Sequence, residues 1–270
     1  MQSAQTVVSI ASRDNALFKS LRKLVHEPAA YRKQGKVWLE GDHLCRAALQ
    51  RGVMPGTAVF AQSLWQRGVP PAWLAGLPRV HVLDDALFAQ LSPLESAGSM
   101  GYVVDSAALL QAPEAIQPTA NTLILDRIQD AGNVGSILRT ASALGFKQVL
   151  ALQGTAALWS PKVLRAGMGA HFGLRLFESC TSADVDRLQI PLLATHLQGT
   201  SMLHQTHLPQ PCAWIFGHEG QGVSADMVQR ADLLVRIAQP GGEESLNVAV
   251  AAAICMYASA AHSGCPNRQL

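Results

Sequence analysis

Apolar and polar residues alternate in blocks along the second half of the chain, and the blocks predict strands that alternate with helices. Runs such as LILD and AWIF have no polar face, which is what a strand buried on both sides requires. Helical spacing follows most of these runs, so we expect βαβ units and a mostly parallel sheet in an α/β fold. The predicted strands are Thr122–Leu125, Gln148–Leu152, Leu174–Phe177, Leu192–Thr195, Ala213–Phe216 and Leu233–Arg236.

A long apolar stretch follows the last predicted strand. Residues 246–261 are almost all Val, Ala, Ile and Met, with no charged side chain. A helix that is apolar all round must be buried. The pattern leaves open whether it is buried in the core of its own domain or against a second subunit.

The first half of the chain mixes short strands with helices. Leu17, Leu21, Leu24 and Val25 recur at helical spacing, which predicts an amphipathic helix. Residues 106–121 are rich in Ala and Pro and show little periodicity. We take 109–118 as a linker between predicted domains at 1–108 and 119–270. The other elements predicted here are a strand at Val37–Glu40, a helix at Asp42–Arg51 and a strand at Val80–Leu83.

Composition excludes several classes of protein. The 270 residues are 49% hydrophobic and 15% charged, enough apolar material for a sizeable core. No run of eighteen apolar residues predicts a membrane span, and residues 1–10 do not resemble a signal peptide. The five cysteines lie far apart, with no CxxC pair and no zinc-like spacing. We therefore expect a cytoplasmic, reduced protein without a metal site and without a membrane.

Charge is concentrated at the start of the chain. Residues 1–36 carry seven basic and two acidic side chains, a formal charge of +5, although the whole chain has only +2. A basic segment on a near-neutral body suits a nucleic-acid backbone, while a solvated helix face explains it equally well. The candidate RNA contacts are Lys19, Arg22, Lys23, Arg32 and Lys33.

The first of three glycine-rich segments, residues 126–140, follows a predicted strand and opens a helix. We expect Asn133 to cap that helix and Gly145 to end it. Arg139 then lies within two turns of the helix N-terminus, a position suited to a phosphate group. Alone, the segment is better explained by a capped surface helix with an ordinary arginine.

The second segment, residues 216–224, runs from a buried strand into three glycines within six residues. Glycine allows the backbone to approach a ligand closely or to adopt a positive φ. Glu219 in this loop has the chemistry to bind a ligand or to brace a neighbour. The simpler interpretation is a tight turn in which Ser224 caps the next helix.

The third segment, residues 237–248, leads through Pro and Gly into the apolar last helix. Ser245 is the expected N-cap of that helix. Capping leaves Asn247 unexplained, because a buried amide on an apolar helix needs a hydrogen-bond partner. That partner is another loop or a bound ligand.

In combination the three segments resemble the SpoU (TrmH) family of RNA ribose 2′-O-methyltransferases, within the SPOUT superfamily. The order is N-x-G-x-x-x-R, then G-x-E-x-x-G, then G-x-x-x-S-L-N, across residues 120–262. The first hundred residues resemble the small α/β RNA-binding module, similar to some ribosomal proteins, that often precedes this catalytic domain. The matching residues are Asn133, Gly135, Arg139, Gly217, Glu219, Gly222, Gly241, Ser245, Leu246 and Asn247.

The resemblance implies S-adenosylmethionine as methyl donor, a C-terminal trefoil knot and a homodimer. It also implies that backbone groups of three loops hold the adenine of the donor. One departure is Ala238-Gln239, where the family often has Pro-Met. The residues implied to bind the donor are Thr195, Gly199, Gly217, Gly222, Ile237, Gly241 and Leu246.

By resemblance, Arg139 is the catalytic residue, with Asn133, Glu219, Ser245 and Asn247 beside it. In this family the arginine is proposed to act as a base, but a guanidinium is not expected to lose its proton in a protein. We favour Arg139 positioning the ribose hydroxyl and a neighbouring phosphate. The implied substrate is structured RNA, either ribosomal or transfer RNA.

Two other classes of function remain open on the sequence alone. One is a non-catalytic RNA-binding or ribosome-assembly factor whose donor pocket has lapsed. The other is an α/β enzyme that binds a small molecule or nucleotide, which leaves the basic first segment without a purpose. A metal enzyme is disfavoured, because the nearest histidine pair, His204 and His207, has no acidic residue close in sequence.

Overall fold

The computed structural model describes residues 6–77, 79–92, 98–197, 199–242 and 245–262. The chain divides into two compact units. The first comprises Met1–Leu110 with Trp159–Phe172, and the second comprises Gln111–Leu158 with Gly173–Leu270. The segment 159–172 lies inside the second domain predicted from sequence, so the division in space departs there from the division along the chain.

The first unit is built on a mixed five-stranded sheet of order β1-β4-β3-β5-β2, in which β5 runs antiparallel to both of its neighbours. Its strands are β1 (Thr6–Ile10), β2 (Lys36–Glu40), β3 (Thr57–Ala61), β4 (Arg79–Leu83) and β5 (Met100–Asp105). Its helices are α1 (Ala16–His26), α2 (Ala30–Gln34), α3 (Asp42–Gln50), α4 (Gln62–Arg67), α5 (Asp85–Phe88) and α7 (Pro161–Gly167).

The amphipathic first helix is confirmed, with its apolar side inward. Phe18, Leu21, Leu24 and Val25 are buried, whereas Leu17 is only half-buried. Asn15 caps the helix by accepting hydrogen bonds from the amides of residues 17 and 18. Its basic residues are left facing solvent. Three strands of this unit, β1, β3 and β5, were absent from the prediction.

The second unit contains a seven-stranded sheet of order β10-β12-β9-β11-β6-β7-β8. Every pairing in it is parallel, which confirms the predicted α/β fold with a parallel sheet. Its strands are β6 (Thr122–Asp126), β7 (Gln148–Leu152), β8 (Arg175–Cys180), β9 (Leu192–Thr195), β10 (Ser201–Met202), β11 (Ala213–Gly217) and β12 (Leu233–Arg236). Its helices are α6 (Ala131–Ala143), α8 (Ser182–Val185), α9 (Ala225–Arg230) and α10 (Val248–His262).

The last helix, α10, packs on the sheet with one face and leaves another face uncovered. Ser259 is fully buried and its hydroxyl accepts a hydrogen bond from the indole of Trp214 on β11, at 2.9 Å. Cys255 and Met256 are also buried, whereas the apolar side chains of the opposite face are exposed. This exposed stripe consists of Val250 (48% exposed), Ile254 (36%) and Tyr257 (66%).

Candidate active site at the carboxyl edge of the parallel sheet

Four neighbouring strands, β12, β9, β11 and β6, end at the same edge of the sheet because they run parallel. The three loops that the family resemblance assigns to the methyl donor leave β9, β11 and β12 at this edge. Thr195 pairs with Val235 across β9 and β12, and Gly217 pairs with Asp126 across β11 and β6. Ligands of open α/β sheets bind at the carboxyl ends of the strands, so a binding site is expected at this edge.

The loop after β11 folds tightly back on its own strand. A Cβ atom at Gly217 would lie 2.2 Å from the backbone carbon of Gly222, so only glycine fits there. Gly222 has φ +70, which glycine adopts without steric cost, and its amide donates to the carbonyl of His218 at 2.8 Å. Glu219 lies within this folded loop.

Glu219 accepts three hydrogen bonds from the first glycine-rich segment. One carboxylate oxygen, Oε1, accepts from the Asp130 amide and from the Asn133 side-chain amide, both at 3.1 Å. The other, Oε2, accepts from the Gln129 amide at 3.2 Å. Glu219 thus fastens the loop after β11 to the start of α6.

These bonds favour the ionised form of Glu219. Partial burial of the carboxyl acts to raise its pKa, while the hydrogen bonds from Asn133 and from backbone amides lower it. The lowering effects together prevail, so the pKa lies below its ordinary value. The carboxylate is therefore charged at neutral pH and accepts bonds rather than donating them.

Asn133 joins the third segment to the other two. Its Oδ1 accepts from the side-chain amide of Asn247 at 3.0 Å, while its own amide nitrogen donates to Glu219. Asn247 in turn accepts from the backbone amides of Ala249 and Val250, at 2.9 and 3.3 Å. The chain of contacts Glu219–Asn133–Asn247, which we name the amide relay, connects all three motifs.

The predicted N-caps of α6 and α10 are wrong, whereas Ser224 does occupy the N-cap position of α9. Helix α6 begins at Ala131, and Asp130 is its N-cap, accepting from the Asn133 amide at 2.8 Å. Asn133 therefore lies in the first turn, with its side chain available for the relay. At α10, the side chain of Asn247 rather than that of Ser245 accepts hydrogen bonds from the backbone amides of the first turn. Asn247 is also exposed, whereas the sequence predicted a buried amide.

The remaining predicted site residues lie around the relay rather than in it. Arg139 is exposed on α6, six residues or about 9 Å of helix beyond Asn133. Ser245, Leu246 and Gly241 are exposed in the loop before α10. Neither Arg139 nor Ser245 belongs to the amide relay.

The other two loops assigned to the donor, which follow β9 and β12, show a close backbone contact and an unsatisfied polar atom. A Cβ at Gly199 would lie 2.8 Å from the Leu234 carbonyl oxygen, so glycine lets the loop after β9 lie directly against β12. In the loop after β12, Ile237 is half-buried. The side-chain oxygen of Gln239 is buried, and no hydrogen-bond partner for it exists in the described part of the chain. A buried carbonyl without a donor is the kind of group that a ligand satisfies.

Sequence reasoning missed two residues that hold the site together, Asp126 and Arg127. The buried carboxylate of Asp126 accepts from the Ser224 amide at 2.6 Å and from Arg127 Nε at 2.9 Å. Arg127, which has φ +61, also donates to the Gln221 side chain at 2.9 Å. The available signal was a charged pair at the end of a strand that is otherwise apolar and buried.

The predicted RNA contacts lie in the first unit. Lys19, Arg22 and Lys23 follow one exposed side of α1 and, together with His26 and Glu27, line a shallow groove of about 370 Å³. The other two predicted contacts, on α2, are exposed as well: Arg32, whose guanidinium lies 5.6 Å from the centre of its neighbour's ring, and Lys33.

Within the described ranges, no group of three or more His, Cys, Asp or Glu side chains is arranged to hold a metal ion. None of the helices over those ranges has the length and apolar character that crossing a membrane requires. The four described cysteines, Cys45, Cys180, Cys212 and Cys255, are buried and unpaired with one another.

Comparisons with known proteins support the family resemblance that the three motifs indicated. Residues 120–257 match the model of the SpoU rRNA methylase family. The chain is 33% identical to a tRNA/rRNA methyltransferase of Synechocystis, over 93% of either protein. It is 31% identical to the 23S rRNA (guanosine(2553)-2′-O)-methyltransferase RlmP of Bacillus subtilis, over 92% of this chain and 97% of that one. An AdoMet-bound rRNA methyltransferase from Sinorhizobium meliloti has the same fold, with a TM-score of 0.83 and 24% identity over 95% and 98% of the two chains.

Proposed function

The chain belongs to the SpoU rRNA methylase family, and from that premise we propose that it transfers a methyl group from S-adenosylmethionine to a ribose 2′-hydroxyl of ribosomal RNA. The observation that carries the proposal is the amide relay, which joins Asn133, Glu219 and Asn247 of three motifs separated by up to 114 residues. The names of the RlmP relative and of other relatives, which are ribosomal RNA 2′-O-methyltransferases, support the choice of substrate.

For the donor, we propose the pocket at the ends of β9, β11 and β12. Its chemistry suits an adenine ring, because glycine at 199 and 217 brings backbone groups close together and Ile237 and Leu246 supply apolar surface. The unsatisfied oxygen of Gln239 matches an exocyclic amino group, which is a hydrogen-bond donor. The residues assigned to the donor are Thr195, Gly199, Gly217, Gly222, Ile237, Gly241 and Leu246.

For the chemical step, we propose that Arg139 positions the ribose. When bound, S-adenosylmethionine supplies an electrophilic methyl group on a sulfonium. As the 2′-oxygen bonds to that carbon and the carbon–sulfur bond breaks, the hydroxyl proton leaves to the adjacent RNA phosphate, which the guanidinium holds in place. Asn133, Glu219 and Asn247 fix the loops around this centre, and Ser245 contacts the phosphate.

For RNA, we propose that residues 1–108 form the binding domain and that 119–270 form the methyltransferase domain. Basic side chains on α1 and α2 hold phosphates without selecting a sequence. The groove along α1 supports this, because three cations line it against a single acid, Glu27. The contacts assigned are Lys19, Arg22, Lys23, Arg32 and Lys33. We also propose a cytoplasmic location, where ribosomal RNA is available as substrate.

For assembly, we propose a homodimer that buries the exposed stripe of α10. Val250, Ile254 and Tyr257 present apolar surface to solvent on a helix whose other face is in the core. We also propose the C-terminal trefoil knot of the SPOUT fold. The placement of β12, the last strand, beside the earlier strand β9 supports this proposal, as does the close approach of Gly199 to Leu234.

Two measurements test the proposal. Calorimetric titration with S-adenosylmethionine is expected to show binding, and its absence would favour the non-catalytic factor with a lapsed pocket. Methyl transfer from labelled donor into purified ribosomal RNA is then expected, with little transfer into transfer RNA. Labelling of transfer RNA alone would redirect the proposal to that substrate.

A further inference from the structure

The loop after β11, residues 218–223, contains an imidazole to which the proposed reaction gives no role. His218 is half-buried at the end of the strand. All three backbone amides from 220 to 222 donate to this one residue. The amides of Gly220 and Gln221 reach its Nδ1, at 3.0 and 3.2 Å, and the amide of Gly222 reaches its carbonyl oxygen at 2.8 Å.

The two contacts to Nδ1 determine which ring nitrogen of His218 carries the proton. A backbone N–H group can only donate, so Nδ1 accepts from both amides and carries no hydrogen itself. The neutral ring therefore has its hydrogen on Nε2. Protonation of the ring would place a hydrogen on Nδ1, which removes the acceptor and directs one N–H group at two others. The observed loop thus requires the neutral imidazole.

Two asparagines of this chain accept hydrogen bonds with the same spacing. The Oδ1 atoms of Asn15 and Asn247 each accept from the amides two and three residues ahead, at 2.9 and 3.3 Å in both cases. His218 Nδ1 also accepts from the amides two and three residues ahead. An amide oxygen accepts at every pH near neutrality, whereas an imidazole nitrogen stops accepting once it binds a proton, usually between about pH 5 and 8. Histidine at 218 therefore makes the folding of this loop sensitive to pH.

The loop that His218 holds carries the second motif of the proposed site. Glu219 lies between His218 and the amides that donate to its ring, and its carboxylate fastens the loop to the start of α6. Gly217 and Gly222, on either side of the loop, are assigned to the methyl donor. We propose that His218 is a positioning residue whose neutral ring holds this loop in the form that binds the donor, and that protonation of Nδ1 releases it; the link to the donor rests on the proposed function.

Other charged groups around the loop do not replace the ring of His218. Glu219 is already ionised near neutrality, because its pKa lies below the ordinary value. Arg127 holds the loop by a different contact, its bond to the side chain of Gln221. Besides these, the described charged or titratable groups at the ends of the strands beside β11 and on the helix packed against it are Asp126 after β6, His196 after β9, and Cys255 and Tyr257 on α10.

The state of the His218 ring is tested first, without any donor. Long-range hydrogen–nitrogen correlation spectra at about pH 8 are expected to show a neutral ring with its hydrogen on Nε2, and loss of the signal in His218→Asn assigns it. On acidification, the amide resonances of Gly220 and Gln221 are expected to shift together with the ring. A hydrogen on Nδ1 at about pH 8, or amide resonances that do not follow the ring, would overturn the proposal.

The link to the donor is tested by calorimetric titration of S-adenosylmethionine at about pH 8 and about pH 5.5. The wild-type affinity is expected to fall about tenfold in acid, because two hydrogen bonds to the loop are lost. His218→Asn, which keeps an acceptor that does not titrate, is expected to bind as the wild type does at the higher pH and to change little in acid. His218→Ala is expected to bind about tenfold more weakly at both values.

The matched control is His43→Asn, the same substitution at an exposed histidine of α3 in the first unit, which is expected to keep the wild-type pH profile. A fall in affinity that persists in His218→Asn would assign the pH dependence to another group, such as His196 or the donor itself, and would overturn the proposal. Equal loss of affinity in His218→Asn and His218→Ala at about pH 8 would overturn it as well.

The two sets of measurements separate this inference from the proposed function. A protein that binds no donor at any pH loses the proposed function, while the spectra still decide whether the His218 ring holds the loop. A protein that binds the donor equally at both pH values keeps the proposed function and loses the role of His218.

Discussion

The side-chain amide of Asn247 donates to the Oδ1 of Asn133 at 3.0 Å, and by this bond the N-terminus of α10 is joined to the first turn of α6. Asn247 has two tasks, since its oxygen caps α10 while its nitrogen holds Asn133. The two tasks use different atoms of one side chain. They are therefore separable by substitution.

Asn247→Asp keeps a good helix cap but removes the donor to Asn133 and brings a second carboxylate towards the site. Asn247→Ala removes both functions. We expect the Ala variant to lose about 1 kcal/mol of stability and the Asp variant to lose little, while both bind S-adenosylmethionine more weakly. Urea unfolding and calorimetry provide the two measurements. Equal stability loss in both variants, with normal donor binding, would show that the contact with Asn133 is incidental.

The depressed pKa of Glu219 predicts how stability changes with acid. Because the folded pKa lies below the ordinary value of 4.5, the contribution of the charged carboxylate is complete above that value and is lost as the pH falls through the folded pKa. The difference in unfolding free energy between wild type and Glu219→Gln is thus expected to be constant near neutrality and to shrink in acid. A difference that grows as the pH falls would assign the carboxyl a raised pKa and contradict the relay.

The parallel sheet of the second unit could be predicted from the sequence, whereas most strands of the mixed sheet in the first unit could not. Strands such as β6 and β11 are apolar on both faces, and that requirement is visible in the residues themselves. In the first unit, β5 begins Met100-Gly101, and glycine weakens a strand pattern. The structure supplies the reason for it: a Cβ at Gly101 would lie 2.2 Å from the ring of Trp38. Such a contact between distant residues leaves no local trace.

In the candidate site, too, one part could be predicted from the sequence and another part could not. The motifs placed Asn133, Glu219 and Asn247 at one end of the sheet, because each follows a strand that runs in the same direction. They did not identify the caps, since Asp130 and Asn133, or Ser245 and Asn247, are equally good capping residues by type. Which of each pair caps is decided by where the helix begins. That in turn depends on partners 86 and 114 residues away.

The basic side of α1 predicts a salt-dependent RNA affinity. Replacing Arg22 and Lys23 by Glu is expected to weaken RNA binding and to lower the slope of log K against log salt by about 1.5 to 2. The matched control makes the same charge change at Arg51 and Arg67, which are exposed in the same unit away from the groove. Filter binding over a range of potassium chloride measures the slope. An equal effect from the control pair would reduce the role of α1 to overall charge.

The exposed stripe of α10 predicts a dimer that a single charge disrupts. Tyr257 is 66% exposed, and Tyr257→Asp is expected to shift the protein from dimer to monomer at micromolar concentration, because burying an unpaired carboxylate is costly. Met54→Asp, at a 56% exposed apolar residue of the first unit, is the control and is expected to remain dimeric. Sedimentation velocity distinguishes the states. A wild-type protein that sediments as a monomer would reject the proposed dimer.

The proposed methyl acceptor is one atom of one nucleotide, and a map of 2′-O-methylation in ribosomal RNA shows whether that atom is modified. Ribosomal RNA from cells that lack this chain is expected to be missing one ribose methylation, which the wild-type protein and S-adenosylmethionine restore in vitro. Arg139→Ala is expected to bind the donor with nearly unchanged affinity and to restore nothing. A methyl group found on a base, an unchanged methylation map, or full activity of Arg139→Ala would rule out the proposed reaction.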